Sequence, residues 1–157
     1  MKKIILAIET TTDICSVSLY QNEELLGIKE NSLRKHSILL APFVDEIFKN
    51  SNLKISSIDA IALSIGPGSY TGLRIGLSFA KGVAFSTNKP IIPINTIESL
   101  NYEIDDLNYL VVIHAYKDYF FVQEYKEGKK NKDIRFETMN EIKSSNKNIY
   151  GYFPNNF

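Results

Sequence analysis

A run of small residues between a strand and a helix constrains this chain more than any other feature. Ile65-Gly66-Pro67-Gly68-Ser69-Tyr70-Thr71-Gly72-Leu73-Arg74-Ile75-Gly76 follows a buried-strand pattern, Ala60-Ile61-Ala62-Leu63-Ser64-Ile65, and opens an apolar segment rich in Gly and Ala. A strand, a glycine turn and a helix start, in that order, can present backbone N–H groups to an anion. The same layout lets a helix pack very close to its neighbour. The turn lacks the Lys-Ser or Lys-Thr of a P-loop and does not keep G-x-G-x-x-G register, so its spacing argues against a phosphate site. Arg74 is suited either to assisting an anion or to a surface ion pair.

The helix after the turn reads as residues 71–87. Thr71 suits its N-cap, Asn88 its end, and Pro90 blocks continuation. Gly72, Gly76, Ala80 and Ala84 fall on one i,i+4 row, with Gly82 close by. Each interior glycine costs on the order of 1 kcal/mol relative to Ala. A return is needed, and close backbone approach supplies it, against either this chain's own sheet or a partner's helix. Residues 36–50 carry a second helical pattern. Leu39, Phe43 and Ile47 form one i,i+4 row, and Leu40, Val44 and Phe48 form another beside it. Together they span roughly 180°, wider than the ~100° stripe one core contact needs, which predicts a second packing partner. Pro42 predicts a helix start or a kink nearby.

The remaining segments read as strands and short helices. Residues 4–8 form a continuous apolar run that fits a central strand buried on both faces. Residues 14–20 alternate, with Cys15, Val17 and Leu19 on one face, and a hairpin returns through residues 25–29. Strands are also expected at 60–65 and 91–95, and Asn95 and Glu98 have N-cap and N3 spacing for a brief helix. This β-β-β-α-β-α-β order is an α+β or α/β layout for a first domain over residues 1–98; the resemblance given below makes it α/β. In a second domain, residues 99–157, strands at 109–115 and 119–125 flank Tyr116-Lys117-Asp118. A charged loop, a strand at 134–138, a short helix near 140–145 and a last strand at 149–153 complete it.

Eighteen basic residues balance eighteen acidic ones among 157. A protein gripping a phosphate backbone unaided is normally more basic, so any nucleic acid is expected to be held through a partner. Cys15 is the single cysteine, which excludes an internal disulfide and points to a reducing compartment. No apolar run approaches membrane-spanning length, and Glu9 interrupts the apolar N-terminus too early for a signal peptide. The expected protein is cytoplasmic.

Candidates for chemistry are few. Glu9-Thr10-Thr11-Thr12 resembles the first phosphate loop of actin-like sugar kinases, with Thr where such loops use glycine. Beta-branched residues resist the positive φ that glycine supplies, which favours a structural loop over a nucleotide site. His36 and His114 share no metal-ligand spacing, and Ser69 and Cys15 sit in no nucleophile signature. No metal site or catalytic residue is expected. Tyr116, Tyr119, Phe120, Phe121 and Tyr125, flanked by Lys117, Lys126, Lys129 and Lys130, fit a small core with a solvated rim better than a single-stranded RNA platform.

Leu6-Ala7-Ile8-Glu9-Thr10-Thr11-Thr12, Ser16-Val17-Ser18-Leu19, His36-Ser37, Pro42, the whole Ile65–Gly76 block and Ala80-Lys81-Gly82 together closely resemble the TsaB (YeaZ) family. The resemblance covers residues 4–100. It implies an actin/Hsp70/sugar-kinase-like (ASKHA) fold of RNase H-like halves, the second of them shortened. It also implies a non-catalytic scaffold that binds TsaD and supports threonylcarbamoyl transfer to the adenosine beside the tRNA anticodon. TsaE joins that assembly, partner subunits use ATP and Mg²⁺, tRNA is met indirectly, and the scaffold itself holds no cofactor. The implied partner surface lies on helices 36–50 and 71–87, through Leu39, Leu40, Phe43, Ile47, Gly72, Leu73, Gly76, Leu77, Ala80, Val83 and Ala84. The family turn is carried by Gly66, Pro67, Gly68, Ser69, Thr71 and Arg74, and a vestigial nucleotide loop by Glu9, Thr10 and Thr11. An exposed apolar arc on the two helices predicts a homodimer when TsaD is absent. The chain departs from the family in a short second domain and in His114, which replaces an acidic residue. The alternative is an actin-like phosphotransferase or ATPase that binds Mg-nucleotide at Glu9.

Overall fold

Alternation builds the first sheet. Ile4, Leu6 and Ile8 of β1 (Ile4–Glu9) and Cys15, Val17 and Leu19 of β2 (Cys15–Gln21) turn to one face and are buried. The strands pair antiparallel, and Asn22, at φ 57°, turns the chain into β3 (Glu24–Asn31). There follow α1 (His36–Asn50), a 3₁₀ turn (Ile55–Ser57), β4 (Ala60–Ser64), α2 (Tyr70–Thr87) and β5 (Ile91–Ile94). β4 runs parallel to both β1 and β5, giving the order β3-β2-β1-β4-β5. This computed structural model describes residues 2–153, and it divides into two units. The first runs to Ile65 and resumes over Ser69–Ile94; the second takes Gly66–Gly68 and the chain from Asn95 onward.

Both helices of the first unit cover the same face of its sheet. α1 packs on β2 and β3, α2 packs on β4, β1 and β5, and their apolar sides share one core with Leu6, Val17, Leu19, Ile61 and Leu63. The other face of β1 carries Ile5, Ala7 and Glu9, all partly exposed, so β1 is not buried on both sides as its apolar run predicts. The run misleads because Ala7 counts as apolar yet is too short to require a cover. α1 begins at His36, six residues before Pro42, and carries Pro42 on its exposed side. β5 is one of the sheet's two edge strands, with β3 at the other side. Ile61 N–H donates to Pro90 O and Ile65 N–H to Ile94 O, at 3.0 and 2.9 Å. Residues 90, 92 and 94 therefore face β4, and Pro93 faces the open edge, where it has no N–H to offer another strand.

The small-residue row of α2 lies against this unit's own loop. A Cβ on Gly72 would sit 1.9 Å from the Thr10 carbonyl oxygen, and one on Gly76 would sit 2.3 Å from Thr10 Oγ1. Thr10 Oγ1 donates to Gly72 O at 2.8 Å across this gap. Ala80 and Val83 continue the row into the core. The N-cap is Ser69 rather than Thr71: its side chain accepts from Gly72 N–H at 3.2 Å, and the helix starts at Tyr70. Asn88 closes the helix at φ 54° in the left-handed region, as its sequence position suggests.

The second unit contains α3 (Thr96–Asn101), β6 (Asn108–Tyr116), β7 (Tyr119–Lys126), β8 (Lys129–Lys130), β9 (Arg135–Thr138), α4 (Met139–Ser144) and β10 (Asn148–Tyr152). Its sheet runs β10-β6-β7-β8, with β9 also on β7. A helix seals each face: Ile97 of α3 meets Tyr109, Val111, Ile113 and Tyr125, and Ile142 of α4 meets Leu110, Val112, Phe120 and Val122. Because Ile97 belongs to this core, the division falls at Ile94/Asn95 rather than at 98/99. Phe120 and Tyr125 are buried, whereas Tyr116 and Tyr119 face solvent. Burial and the nearby Glu98 carboxylate push the Tyr125 hydroxyl up to about 12.

Glu124 is buried beside this sheet, where it meets Lys147, Arg135 and Lys132 and accepts from Asn131. Lys147 and the other donors hold its carboxyl down at about 2, against 4.5 ordinarily. A carboxyl depressed on folding stabilises fully above its unfolded value and loses that contribution as pH falls through its folded value. The denaturation midpoint of this unit, followed by near-ultraviolet dichroism of its tyrosines, should therefore fall between about pH 4.5 and pH 2. Glu124→Gln should flatten that arm.

The close approach of α2 makes a second prediction. Alanine at position 76 gains about 1 kcal/mol of helix propensity. It loses roughly 1–3 kcal/mol to overpacking against Thr10, so Gly76→Ala should be net destabilising in urea unfolding. Adding Thr10→Ala removes the colliding hydroxyl and should recover at least half of that loss. Gly72→Ala meets a backbone oxygen, and Thr10→Ala should not rescue it.

Candidate functional site

The loop after β1 is where a nucleotide would be held, and its side chains are turned inward. Thr10 and Thr11 are both buried. Glu9 Oε1 accepts from Thr11 N–H and from Thr11 Oγ1, so the carboxylate closes on its own loop. Ser69 N–H donates to Thr11 O at 2.6 Å. His36 Nε2 lies 3.0 Å from Thr12 O and donates to it, which ties the start of α1 to the same loop, and Arg34 pairs with Asp13 at 2.6 Å. Thr10 is lodged against the glycine side of α2, at Gly72 and Gly76.

The turn itself divides. Gly66, at φ 100°, is buried; its N–H donates to Thr96 Oγ1 at 3.2 Å and its carbonyl accepts from Thr96 N–H at 2.9 Å. From Ser69 onward the chain serves α2 and the Thr10 loop. Arg74 forms no ion pair among the described residues. Its guanidinium stacks over the Tyr70 ring, 4.6 Å from the centroid, a cation–π contact on the outside of the helix. Beside it opens an apolar cavity of about 230 Å³ lined by Leu63, Ile65, Tyr70, Leu73, Arg74 and Leu77.

The residues expected at a partner surface separate by burial. Leu40, Ile47, Gly72, Gly76, Ala80 and Val83 are buried in the first unit's core, and Leu39, Phe43 and Ala84 pack against that core. The wide apolar arc of α1 thus has its second partner inside the unit, in β3 and α2, while Leu39 and Phe43 stay partly exposed. Leu73 lines the cavity. Leu77, 40% exposed, is the expected position that does face outward. The outer side of the helix pair is carried instead by Ile38, 66% exposed, and Phe85, 92% exposed. A Cβ on Gly82 would meet nothing within 4 Å, so that glycine faces open space. Both apolar residues lie off the i,i+4 rows; a large apolar side chain on the face opposite a helix's core row is the signal that finds them.

Neither Cys15 nor Ser69 is poised as a nucleophile. Burial, with the Glu9 charge second, raises the Cys15 thiol and keeps it protonated. The Ser69 hydroxyl caps α2. Among the described residues, no group of three His, Cys, Asp or Glu could hold a metal ion. No helix of the described residues is long and apolar enough to cross a membrane.

Residues 25–144 match the model of the family described as TsaD, tRNA N6-adenosine threonylcarbamoyltransferase. The Haemophilus influenzae tRNA threonylcarbamoyladenosine biosynthesis protein TsaB is 41% identical over 96 residues, covering 61% of this chain and 41% of that protein. The crystal structure of YeaZ from Pseudomonas aeruginosa superimposes with a TM-score of 0.73 at 25% identity, over 85% of this chain and 67% of that one. An activator of 2-hydroxyisocaproyl-CoA dehydratase from Clostridium difficile, solved with bound ADPNP, shares the fold alone. Its TM-score is 0.52 at 12% identity, over 88% of this chain and 46% of that one. Two sheets with this topology are an actin-like, sugar-kinase-like (ASKHA) arrangement. The chain spans about half the length of the curated relatives it matches. It belongs to the family that the TsaD model describes and, within it, to TsaB (YeaZ).

Proposed function

We propose that this chain is an accessory subunit of tRNA threonylcarbamoyladenosine synthesis that docks on TsaD and performs no chemistry itself. The observation that carries the reading is the closed loop after β1, where Thr10 fills the gap against Gly72 and Gly76 and Glu9 is spent on Thr11. A chain that holds no nucleotide there contributes by binding. Its outward apolar side chains support docking through the helix pair: Ile38 on α1, with Leu77 and Phe85 on α2. Gly82 beside them leaves room for a partner's backbone to come close. In this reading ATP and Mg²⁺ act in partner subunits, TsaE joins the assembly, and tRNA is met through the complex. The chain's balanced charge suits indirect contact with tRNA. Without TsaD, the same apolar side chains favour a homodimer in the cytoplasm.

Co-purification with TsaD tests the docking. Ile38 and Phe85 already face solvent, so Ile38→Asp and Phe85→Asp should leave folding stability within about 0.5 kcal/mol. Affinity for TsaD should fall about tenfold or more in each. Unchanged binding by the folded variants would remove the interface. Calorimetry with Mg-ATP tests the closed loop and should show no binding heat. Saturable binding tighter than about 1 mM would instead favour the phosphotransferase reading.

A further inference from the structure

The end of β4 is not sealed against α2. β4 closes with Ser64, Ile65 follows it, and the first two turns of α2 from Tyr70 stand beside them. The cavity of about 230 Å³ lies between the two. Leu63, buried in the core, forms its floor, and Leu73 and Ser64 are its half-buried walls. Ile65, Tyr70 and Leu77 are exposed and stand at its mouth. An apolar cavity of about 150 Å³ holds benzene. Sites for drug-sized ligands begin at about 300 Å³. This cavity therefore suits a body of one aryl ring or one branched alkyl group with a short tail.

Arg74 sets the charge of the occupant. It lines the cavity with its guanidinium 4.6 Å from the centroid of the Tyr70 ring, and among the described residues it makes no ion pair or hydrogen bond. Stacking on a ring engages the face of a guanidinium and leaves its in-plane N–H donors free. Those donors match a carboxylate two at a time. Ser64 adds a hydroxyl on the same cavity, and the other lining side chains are apolar apart from the Tyr70 hydroxyl. A second charge on the occupant would be buried against leucine, which is costly. β4 is paired to β1 on one side and to β5 on the other, so it has no open edge here. An entering polypeptide, of whatever origin, would bring peptide groups that need partners the strand cannot supply. We infer that this cavity binds a small free monocarboxylate with one aryl or branched-alkyl body, the body against Leu63 and Leu73 and the carboxylate on Arg74. The site is independent of the TsaD reading, since Ile38 and Phe85 do not line it.

The test titrates the whole ¹⁵N-labelled chain with 3-phenylpropionate and follows its amide chemical shifts. Saturable shifts are expected, with a Kd at or below about 1 mM. The uncharged twin 3-phenylpropanamide should bind about tenfold more weakly. Acetate, which has the charge without the body, should not saturate. Arg74→Gln should weaken the acid about tenfold and leave the amide unchanged. Leu73→Phe, which fills the cavity, should abolish binding of both. Ser64→Leu serves the same purpose should Leu73→Phe fail to fold, with circular dichroism reporting the fold of each. Lys54→Gln removes an exposed cation outside the cavity and should change nothing. The blocked peptide acetyl-Gly-Phe-Glu-Gly-amide carries the same ring and carboxylate on a backbone and should bind more weakly than the free acid. Four results overturn the proposal. One is no saturable binding of the acid. The second is undiminished binding of the acid by folded Arg74→Gln. The third is an amide that binds as tightly as the acid. The fourth is a blocked peptide that binds more tightly than the acid, which assigns the cavity to a polypeptide side chain.

Discussion

The contact of Thr10 with the glycine side of α2 organises the first unit. Gly72 and Gly76 have no Cβ, so the helix rests on the loop after β1 at a distance no other residue allows. That loop also accepts from Ser69 N–H and from His36, so the starts of both helices are referred to it. The Glu9 carboxylate is turned back onto Thr11 in the same loop, so the loop, the glycine turn and both helix starts form one hydrogen-bonded junction.

Much of this was legible in the sequence. The i,i+4 rows of α1 and α2, the alternation of β2 and the Asn88 and Asn95 caps all appear in the fold where the residues place them. What stayed hidden depends on register between distant segments. A row of small residues looks the same whether a helix presses on its own sheet or on a partner, and only the position of Thr10, 62 residues before Gly72, decides it. Ser69 and Thr71 both offer capping hydroxyls, and the choice turned on where Tyr70 enters the helix. Leu40 and Ile47 read as surplus apolar surface because the reach of β3 toward α1 is not written in either segment.

The second unit is held together differently. Each face of its sheet has one short helix, and the apolar cores under them are small. A buried carboxylate among Lys147, Arg135 and Lys132 supplements them. Glu124 is the buried member, so stripping it of its cationic partners leaves a buried carboxylate without counter-charge. Those partners lie on the loop before β9, on β9 and just before β10, so the cluster also ties these pieces to β7.

Pro93 carries a consequence for the life of the free protein. A sheet with a bare apolar face and an unpaired edge is a template on which further copies can add strand by strand. At the edge of β5 the proline withholds the donor that such growth requires, directly beside the exposed Ile92. A strand that added at β5 would meet one donor fewer, so growth from this edge is hindered at its middle.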